Sequence, residues 1–342
     1  MRAFSLFLLI PSLASAFAES LQDSTIISIE QSWTQQPDGW TYPISISVPQ
    51  QEPPKSGFPV CILLHGNGGS GELMVNQFRS IFPDHALVAP TGYLNSWNIC
   101  TESSEAPDWT MVRLLVERLK EFDNVNTDRV QLMGISNGAA LVNTVFALNP
   151  PVQVDAFVAV VSHLNDFQFH DESFHHPSLK TEDGNSWCGY TSSANPSSGR
   201  RYLSMSNVND PLIPYEGGPS PVGATFLAAT DAAYKIALSQ GFTGEQLSGP
   251  QPQVPGEQIW EYIYLGGQVT HLRGLAQHGM TPGHESYARE FLNRDPIQDC
   301  AGDEDGDGEV GFGDLTMVLG SWGEVVGMND LLQVLGNWGP CL

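Results

Sequence analysis

The stretch RVQLMGISNGAALV, residues 129–142, decides the fold of this chain. Its apolar first half predicts a strand that ends near Met133, and its second half predicts a helix from Ala139. Between them, Gly134-Ile135-Ser136-Asn137-Gly138 matches G-x-S-x-G, a sharp strand-to-helix turn that lifts a serine hydroxyl out of the sheet edge. The free N–H groups of the following helix suit a developing negative charge. We therefore predict that Ser136 is a nucleophile; the alternative is an ordinary strand-to-helix turn.

Alternating strand and helix patterns surround this turn from residue 24 to about 294. Strands are predicted at 58–65, 85–90, 129–135, 154–162 and 201–206, and helices near 72–81, 107–122, 138–148 and 224–239. Continuous apolar strands separated by helices are typical of a mostly parallel sheet covered on both faces, so we predict an α/β fold. Two opening strands, near 24–32 and 40–48, indicate an antiparallel start, and residues 258–275 predict a hairpin at Gly266-Gly267.

A second glycine-rich turn follows the predicted strand 58–64. His65-Gly66-Asn67-Gly68-Gly69 lets the backbone approach a substrate carbonyl, so the amides of Asn67 and Asn137 are the predicted oxyanion donors. A phosphate-binding loop is the rival interpretation, but no Gly-Lys-Ser/Thr follows the glycines. We expect His65 to orient this loop rather than to act in catalysis.

A serine nucleophile needs a base and an acid that orients it. Asp210 follows the strand 201–206 and precedes Pro211, which suits an acid that holds an imidazole. Three histidines are candidates for the base. His271 lies inside an alternating strand, His278 lies in the loop just after it, and His284 opens the closing helix. Because a catalytic histidine belongs in a loop at the carboxyl end of a strand, His278 is the first choice and His284 the second.

Residues 24–294 resemble the α/β-hydrolase group that includes secreted polyhydroxybutyrate depolymerases, feruloyl esterases and acetyl xylan esterases. The resemblance rests on the His65-Gly66 loop, the Ser136 turn, residues 209–215 with Gly217-Gly218, and His278-Gly279. The family often has His-Gly before the acid, where this chain has Ser206-Asn207, and often has Thr-Trp-Pro after the histidine, where this chain has residues 279–282, Gly-Met-Thr-Pro. The missing tryptophan leaves the substrate class open.

The resemblance implies a serine carboxylic-ester hydrolase that acts through an acyl-enzyme on feruloyl or acetyl polysaccharide esters or on a polyester. Ser136, His278 and Asp210 would form the triad, and no cofactor would be needed for catalysis. The alternatives are a serine peptidase of the same fold and a non-catalytic surface-binding protein with a hydrolase-like fold.

Residues 163–200 interrupt the strand and helix rhythm and are predicted to be an insertion over the active edge of the sheet. Four histidines lie close together there: His163, His170, His175 and His176. Their spacing matches no recognised zinc-ligand pattern, so we favour a role in the wall of the substrate cleft. Trp97 and Trp187 are predicted to line that cleft.

The tail from residue 300 has eight acidic residues and no Lys or Arg. Asp303, Asp305 and Asp307 fall at positions 1, 3 and 5 of a Ca²⁺-binding loop, with Gly308 at position 6, the Glu309 carbonyl at position 7 and Asp314 at position 12. An acidic linker is the alternative.

An internal repeat with an offset of 16 residues supports a folded tail. Residues 310–315 recur as 326–331, and 318–323 recur as 334–339, which predicts two short helices. Asp at position 12, followed by Leu315, resembles the dockerin repeat, with one Ca²⁺ site because the second repeat lacks the carboxylate loop. That resemblance implies docking to a cohesin-like or cell-surface partner; a Ca²⁺-stabilised cap without a partner is the alternative.

Composition sets the remaining expectations. The net charge of −24, from 14 basic and 38 acidic residues, excludes binding to nucleic acid by phosphate neutralisation. The domains are predicted as an export signal over 1–18, a catalytic domain over 19–294 with no membrane span, and a calcium module over 295–342.

A secreted protein keeps disulfides, so Cys300 is expected to pair with Cys341 and Cys100 with Cys188. Cys61 is expected to be a buried free thiol, and other pairings remain open.

Overall fold

The computed structural model describes residues 19–148, 151–177, 186–249, 251–294, 302, 309–320, 322 and 327–340. The helices in these ranges are α1 Gly71–Phe78, α2 Asp108–Leu119, α3 Asn137–Phe146, α4 Ala229–Ser239, α5 Pro282–Asn293, α6 Phe312–Gly320 and α7 Met328–Gly336. The strands are β1 Glu30–Trp33, β2 Gln36–Thr41, β3 Ile44–Ser47, β4 Phe58–Leu64, β5 Ala86–Pro90, β6 Val125–Ile135, β7 Ala156–Val160, β8 Phe169–His170, β9 Ser173–His176, β10 Ser192–Ala194, β11 Arg201–Asn207, β12 Gly218–Pro219, β13 Thr225–Phe226, β14 Ile259–Tyr264, β15 Val269–Gly274, β16 Glu309–Val310 and β17 Gly339–Pro340.

Eight of these strands form one twisted sheet in the order β14-β15-β11-β7-β6-β4-β5-β3. The six inner strands, from β15 to β5, pair in parallel, and β14 and β3 close the two edges in antiparallel orientation. Every residue of β5, β7 and β11 is buried, as expected for strands covered on both faces. The predicted α/β class is confirmed, and the strand order with the turn after β6 is that of an α/β-hydrolase fold.

Helices cover both faces of this sheet, and each face has its own apolar core. The residues of β4 alternate between the two cores, with Val60 and Ile62 on one side and Cys61 and Leu63 on the other. The first core also contains apolar residues of α2, α3 and α4, and the second contains those of α1 and α5. This three-layer arrangement leaves the carboxyl edge of the parallel strands for the functional groups.

Two local predictions differ from the structure, and the predicted insertion contains strands of its own. The opening strands include an antiparallel pair, β1 and β2, outside the large sheet, and only β3 joins it. β14 and β15 pair as predicted, but a short 3-10 helix at Leu265–Gly267 connects them instead of a two-residue turn, with Gly266 and Gly267 both at positive φ. The insertion contains a small antiparallel sheet in the order β10-β9-β8.

The cysteines agree with the predictions wherever the structure describes them. Cys100 is bonded to Cys188, which ties the residues after β5 to the insertion. Cys61 is free and buried in β4. The predicted Cys300–Cys341 pair lies outside the described residues.

The described part of the tail has a small core of its own. Val310, Val318 and Val334 are buried together, and Val318 and Val334 are equivalent positions of the 16-residue repeat. β16 pairs with β17, so the tail contains a short strand pair besides the two helices that the repeat predicted. Across the described ranges, no helix is both long and apolar enough to cross a membrane.

Candidate active site

The turn after β6 holds Ser136 in an unusual backbone conformation. Ser136 has φ 54° and ψ −119° and stands directly before α3. A Cβ on Gly134 would lie 2.3 Å from the Gly138 carbonyl oxygen, and one on Gly138 would lie 2.3 Å from the Leu64 carbonyl oxygen. Both outer positions of the motif therefore require glycine, and the turn directs the serine outward at the edge of the sheet.

Ser136, His278 and Asp210 form a continuous chain of hydrogen bonds. His278 Nε2 lies 2.8 Å from Ser136 Oγ, and His278 Nδ1 lies 2.8 Å from Asp210 Oδ2. An ionised carboxylate only accepts, so Nδ1–H donates to Asp210 and Nε2 is left to accept the serine proton. The structure thus brings together the three residues that the sequence singled out as a triad.

Chain topology explains why three distant residues meet. Ser136 follows β6, Asp210 follows β11 and His278 follows β15, and these strands run in the same direction through the sheet. The carboxyl ends of parallel strands share one edge, where ligand sites of open α/β sheets form. The loops after these strands therefore meet at one place.

Asp210 is held so that one carboxylate oxygen faces His278. Its Oδ1 accepts hydrogen bonds from the amides of Leu212 at 2.8 Å and Ile213 at 3.1 Å, while Oδ2 faces the imidazole. Burial by itself would raise the pKa of Asp210, but the hydrogen bonds from His278 and these two amides outweigh it, so the pKa lies below its usual value. The carboxylate is ionised at neutral pH.

The two amides predicted to hold an oxyanion lie at the mouth of the same cavity. Asn67 and Asn137 line it together with Ser136. In the described part of the chain, neither amide N–H has a protein acceptor, because the Asn137 amide opens α3 and the Asn67 amide lies in a turn. Both are available to a negatively charged oxygen.

His65 supports the loop that carries Asn67. Its ring is 1% exposed, its Nδ1 lies 2.7 Å from the Gly66 carbonyl oxygen, and its Nε2 accepts the Gly92 amide at 3.0 Å. Both ring nitrogens are engaged with backbone groups, and burial lowers the pKa of the imidazole. The structure therefore places His65 as an orienting residue.

The cavity above Ser136 has a volume of about 350 Å³. Its lining combines apolar side chains, including Leu94, Phe167, Val222 and Phe226, with polar residues around Ser136. Among the described residues, no lysine or arginine contributes to this lining. The space suits a neutral organic group.

Glu102 organises one wall of the cavity, a role that the sequence did not predict. Its Oε1 accepts from Asn137 Nδ2 at 3.0 Å, and its Oε2 accepts from the Cys100 amide at 2.7 Å. Asn137 Oδ1 also accepts the Trp97 amide at 2.7 Å. The side chain of Asn137, the residue after the nucleophile, therefore holds the segment 96–102 in place through these hydrogen bonds. Glu102 lies in a stretch without strand or helix periodicity, so only a three-dimensional contact identifies it.

The two tryptophans predicted to line the cleft do not contribute to the cavity. Trp97 is 0% exposed, and its indole N–H donates to the His65 carbonyl oxygen at 2.7 Å, so it supports the glycine-rich loop from below. Trp187 is 41% exposed and stacks on His170, with ring centroids 4.2 Å apart. Phe167 of the insertion and Phe226 provide the aromatic wall instead.

The histidines of the insertion serve its local structure. His163 is buried, and its ring nitrogens lie 3.2 Å from Ser206 Oγ and 2.9 Å from the Leu227 carbonyl oxygen. His170 stacks on His175, with centroids 3.6 Å apart. Among the described residues, no group of three or more His, Cys, Asp or Glu side chains could hold a metal ion.

Neither of the other two candidate bases is near Ser136 in the hydrogen-bond network. His271 is fully buried between Ser204 Oγ at 2.9 Å and Tyr215 OH at 3.0 Å, and burial lowers its pKa to about 3. His284 caps α5 through Thr281, and burial lowers its pKa to about 4. The geometry thus selects His278 over His284 as the partner of Ser136.

Four buried histidines make stability depend on acid pH. Burial lowers the pKa of His85, His163 and His284 to about 4 and that of His271 to about 3. The unfolded chain binds these protons below about pH 6.5, whereas the native protein does not bind them until pH 4 or lower. Each histidine therefore costs about 1.4 kcal/mol of unfolding free energy per pH unit in that interval.

We expect the melting temperature to fall steeply as pH is lowered from 6.5 to 4 and to change little above pH 7. Circular dichroism melts across this range measure the effect. His85→Leu should reduce the slope of unfolding free energy against pH by about 1.4 kcal/mol per pH unit, the contribution of one proton. An equal slope in His85→Leu and the native protein contradicts the prediction.

The Cys100–Cys188 disulfide joins one wall of the cavity to the insertion. We expect Cys100→Ser/Cys188→Ser to lower the free energy of unfolding by about 2–4 kcal/mol, because the bond constrains the unfolded chain, and to raise KM through a looser wall. Urea unfolding and steady-state kinetics measure both. A reducing agent should raise KM in the native protein and leave the KM of the double variant unchanged, because the second predicted disulfide lies in the tail; an equal rise of KM in both contradicts the prediction.

Two of the five predicted calcium ligands, Glu309 and Asp314, belong to the described residues. Asp303, Asp305 and Asp307 lie outside the described residues. Asp314 is 1% exposed in the first turn of α6, and its Oδ2 accepts the Gly311 amide at 2.6 Å. The Glu309 backbone belongs to β16. A buried carboxylate at the end of an acidic loop fits a closing ligand of a Ca²⁺ site.

The chain matches no protein-family model and no curated protein. It is similar to the solved structure of a Bacillus cereus carboxylesterase, with 14% identity, a TM-score of 0.45 and coverage of 74% of this chain and 93% of that one. An acetyl xylan esterase from Aspergillus awamori has 12% identity, a TM-score of 0.49 and coverage of 73% and 93%. A thermophilic esterase from Thermogutta terrifontis has 13% identity, a TM-score of 0.44 and coverage of 74% and 86%.

Proposed function

We propose that this protein is a serine carboxylic-ester hydrolase. The observation that carries the proposal is the hydrogen-bonded chain from Ser136 Oγ through His278 to Asp210. It lies at a cavity lined by Asn67 and Asn137, whose amides have no protein acceptor among the described residues. A serine beside a histidine that is itself oriented by a carboxylate is the arrangement that activates a hydroxyl for attack on a carbonyl.

The reaction has two half-reactions. Ser136 Oγ attacks the ester carbonyl carbon while His278 Nε2 takes the serine proton, and the Asn67 and Asn137 amides hold the oxyanion. His278 then gives the proton to the departing alcohol, which leaves an acyl-enzyme. Water attacks the acyl-enzyme with His278 again as base, and the acid is released as Ser136 regains its proton.

The proposed substrate is a neutral ester, either an acyl group on a polysaccharide or a polyester such as polyhydroxybutyrate. A cavity of about 350 Å³ accommodates an acyl group as large as an aromatic one, and the Phe167 and Phe226 side chains offer it apolar contacts. The part of the lining that the structure describes has no cationic residue, and the Glu102 carboxylate accepts hydrogen bonds from the Cys100 amide and Asn137 Nδ2. Anionic acyl groups are therefore expected to be poor substrates.

A panel of substrates tests this proposal. We expect hydrolysis of p-nitrophenyl acetate and of at least one among methyl ferulate, acetylated xylan and polyhydroxybutyrate, together with labelling of Ser136 by a fluorophosphonate. Cleavage of peptide p-nitroanilides at a higher kcat/KM than any ester would instead identify a peptidase. The absence of both substrate turnover and fluorophosphonate labelling would instead identify a non-catalytic binding protein.

For the tail we propose one structural Ca²⁺ ion, held by Asp303, Asp305, Asp307, the Glu309 carbonyl and Asp314, and docking of this region to a cohesin-like or cell-surface partner. The acidic spacing and the buried Asp314 support the ion. Calorimetry of the full chain should detect one Ca²⁺ site that Asp305→Asn/Asp307→Asn removes and Asp231→Asn retains. Equal binding by all three proteins contradicts the proposed ligands.

We also propose that the protein is exported and acts outside the cytoplasm. The apolar segment that ends in Ala16-Phe17-Ala18 and the Cys100–Cys188 disulfide support export. Sequencing of the secreted protein should give an N-terminus at Glu19. Full-length protein retained in the cytoplasm contradicts export.

A further inference from the structure

Asn207 lies directly beneath the loop that carries His278. It is the last residue of β11 and is 1% exposed. Its Nδ2 donates to the Gln277 carbonyl oxygen at 2.8 Å and to the Gly279 carbonyl oxygen at 2.9 Å. These two carbonyls stand on either side of His278, so one planar amide group holds the peptide units that flank the histidine.

We infer that Asn207 is a positioning residue that sets the direction of the His278 side chain, an inference that rests on the proposed function. His278 must meet Ser136 and Asp210 at the same time, and both contacts are 2.8 Å long. A loop residue keeps such a geometry only when its backbone is fixed, since a shift of about 1 Å in a reacting group costs about 100-fold in rate. Asn207 supplies that support at both neighbours of the histidine.

The Asn207 amide oxygen lies on the opposite side from the His278 loop, next to Gly274 and His284. His284 Nδ1 accepts from the Thr281 amide at 3.2 Å, so the proton of the neutral ring is on Nε2. A Cβ on Gly274 would lie 2.2 Å from Asn207 Oδ1 and 2.8 Å from His284 Nε2, so these two atoms lie within about 5 Å of each other beside Gly274. Neither atom has a hydrogen-bond partner within the described residues. The two carbonyl acceptors therefore favour the orientation in which both hydrogens of Nδ2 face the His278 loop.

A purely structural role for Asn207 makes a different prediction. If Asn207 only stabilises the fold at the end of β11, its replacement lowers the melting temperature and leaves the catalytic rate of the folded protein unchanged. As a positioning residue, it affects kcat while KM stays constant, because Asn207 does not line the cavity. Asn207→Asp separates the two roles best, since it keeps the shape of the side chain but turns carboxylate oxygens toward two carbonyls.

We expect Asn207→Asp and Asn207→Ala to lower kcat for p-nitrophenyl acetate by about 100-fold with KM unchanged, at temperatures well below their melting points. The low-field proton resonance of the His278–Asp210 hydrogen bond should broaden or disappear in both. Asn209→Ala is the matched control: this exposed residue donates to the Leu275 carbonyl oxygen at 2.6 Å in the same loop but does not hold a neighbour of His278. It should keep the native kcat.

Gly274→Ala provides an independent test, because its methyl group would displace the Asn207 amide without changing Asn207. We expect the same fall in kcat. Wild-type kcat and an unaltered proton resonance in the folded Asn207 variants, or in Gly274→Ala, overturn the inference. Failure of the native protein to react with a fluorophosphonate at Ser136 overturns the proposed function instead, so the two failures are distinguishable.

Discussion

Ser136→Ala is expected to reduce kcat for p-nitrophenyl acetate by about 10⁴–10⁶-fold, because removal of the nucleophile of a triad leaves only binding and oxyanion stabilisation. KM should change little, since the cavity keeps its other lining residues. The hydroxyl makes its hydrogen bond to His278, and the backbone amide of residue 136 donates to Val160, so the turn should survive the change. Initial rates with purified protein measure the loss, and a fluorophosphonate should no longer label the variant.

Ser193→Ala is the matched control for this experiment. Ser193 is an exposed residue of β10 whose hydroxyl bonds to Ser173 Oγ, and it does not line the cavity. The control should keep native kcat and labelling. Ser136→Ala with more than a tenth of native activity and an unchanged melting temperature would falsify the role of Ser136 as nucleophile.

Most of the fold follows from local patterns in the sequence. Most of the buried strands are short apolar runs, and α1, α2 and α3 separate the consecutive strands from β4 to β7, so this part of the parallel sheet is encoded over lengths of about ten to twenty residues. The Ser136 turn adds a strict steric demand, since both glycines of its motif contact backbone atoms of neighbouring segments. The strands and the Ser136 turn can be predicted from the sequence because short stretches of chain determine them.

Features that depend on contacts between distant segments were harder to predict. Trp97 looked like a cleft residue because aromatic side chains often bind ligands, but it fills the space under the His65 loop. Glu102 and Asn207 carry no motif, and each matters through backbone groups that the fold brings to it. Position in the sequence indicated which residues reach the active edge, whereas packing decided which of them face the cavity.

Asp210→Asn is expected to lower kcat by about 10⁴-fold, and the geometry gives the reason. The oxygen of the new amide must accept from the Leu212 and Ile213 amides, which leaves its NH₂ group facing His278 Nδ1. That nitrogen then has to accept, so the proton moves to Nε2, which can no longer take the proton of Ser136. Steady-state kinetics should show the loss in kcat with KM nearly unchanged.

Asp231→Asn is the appropriate control, since Asp231 is an exposed residue of α4 that accepts from Gln246. It should behave like the native protein.

Because the pKa of Asp210 lies below its usual value, the carboxylate stabilises the fold above pH 4, and this contribution is lost as pH falls through the lowered pKa. The difference in melting temperature between Asp210→Asn and the native protein should therefore shrink at acid pH. If Asp210→Asn keeps native kcat while Ser136→Ala loses it, the serine acts without an acid that orients its base, and the triad is reduced to a Ser136–His278 pair.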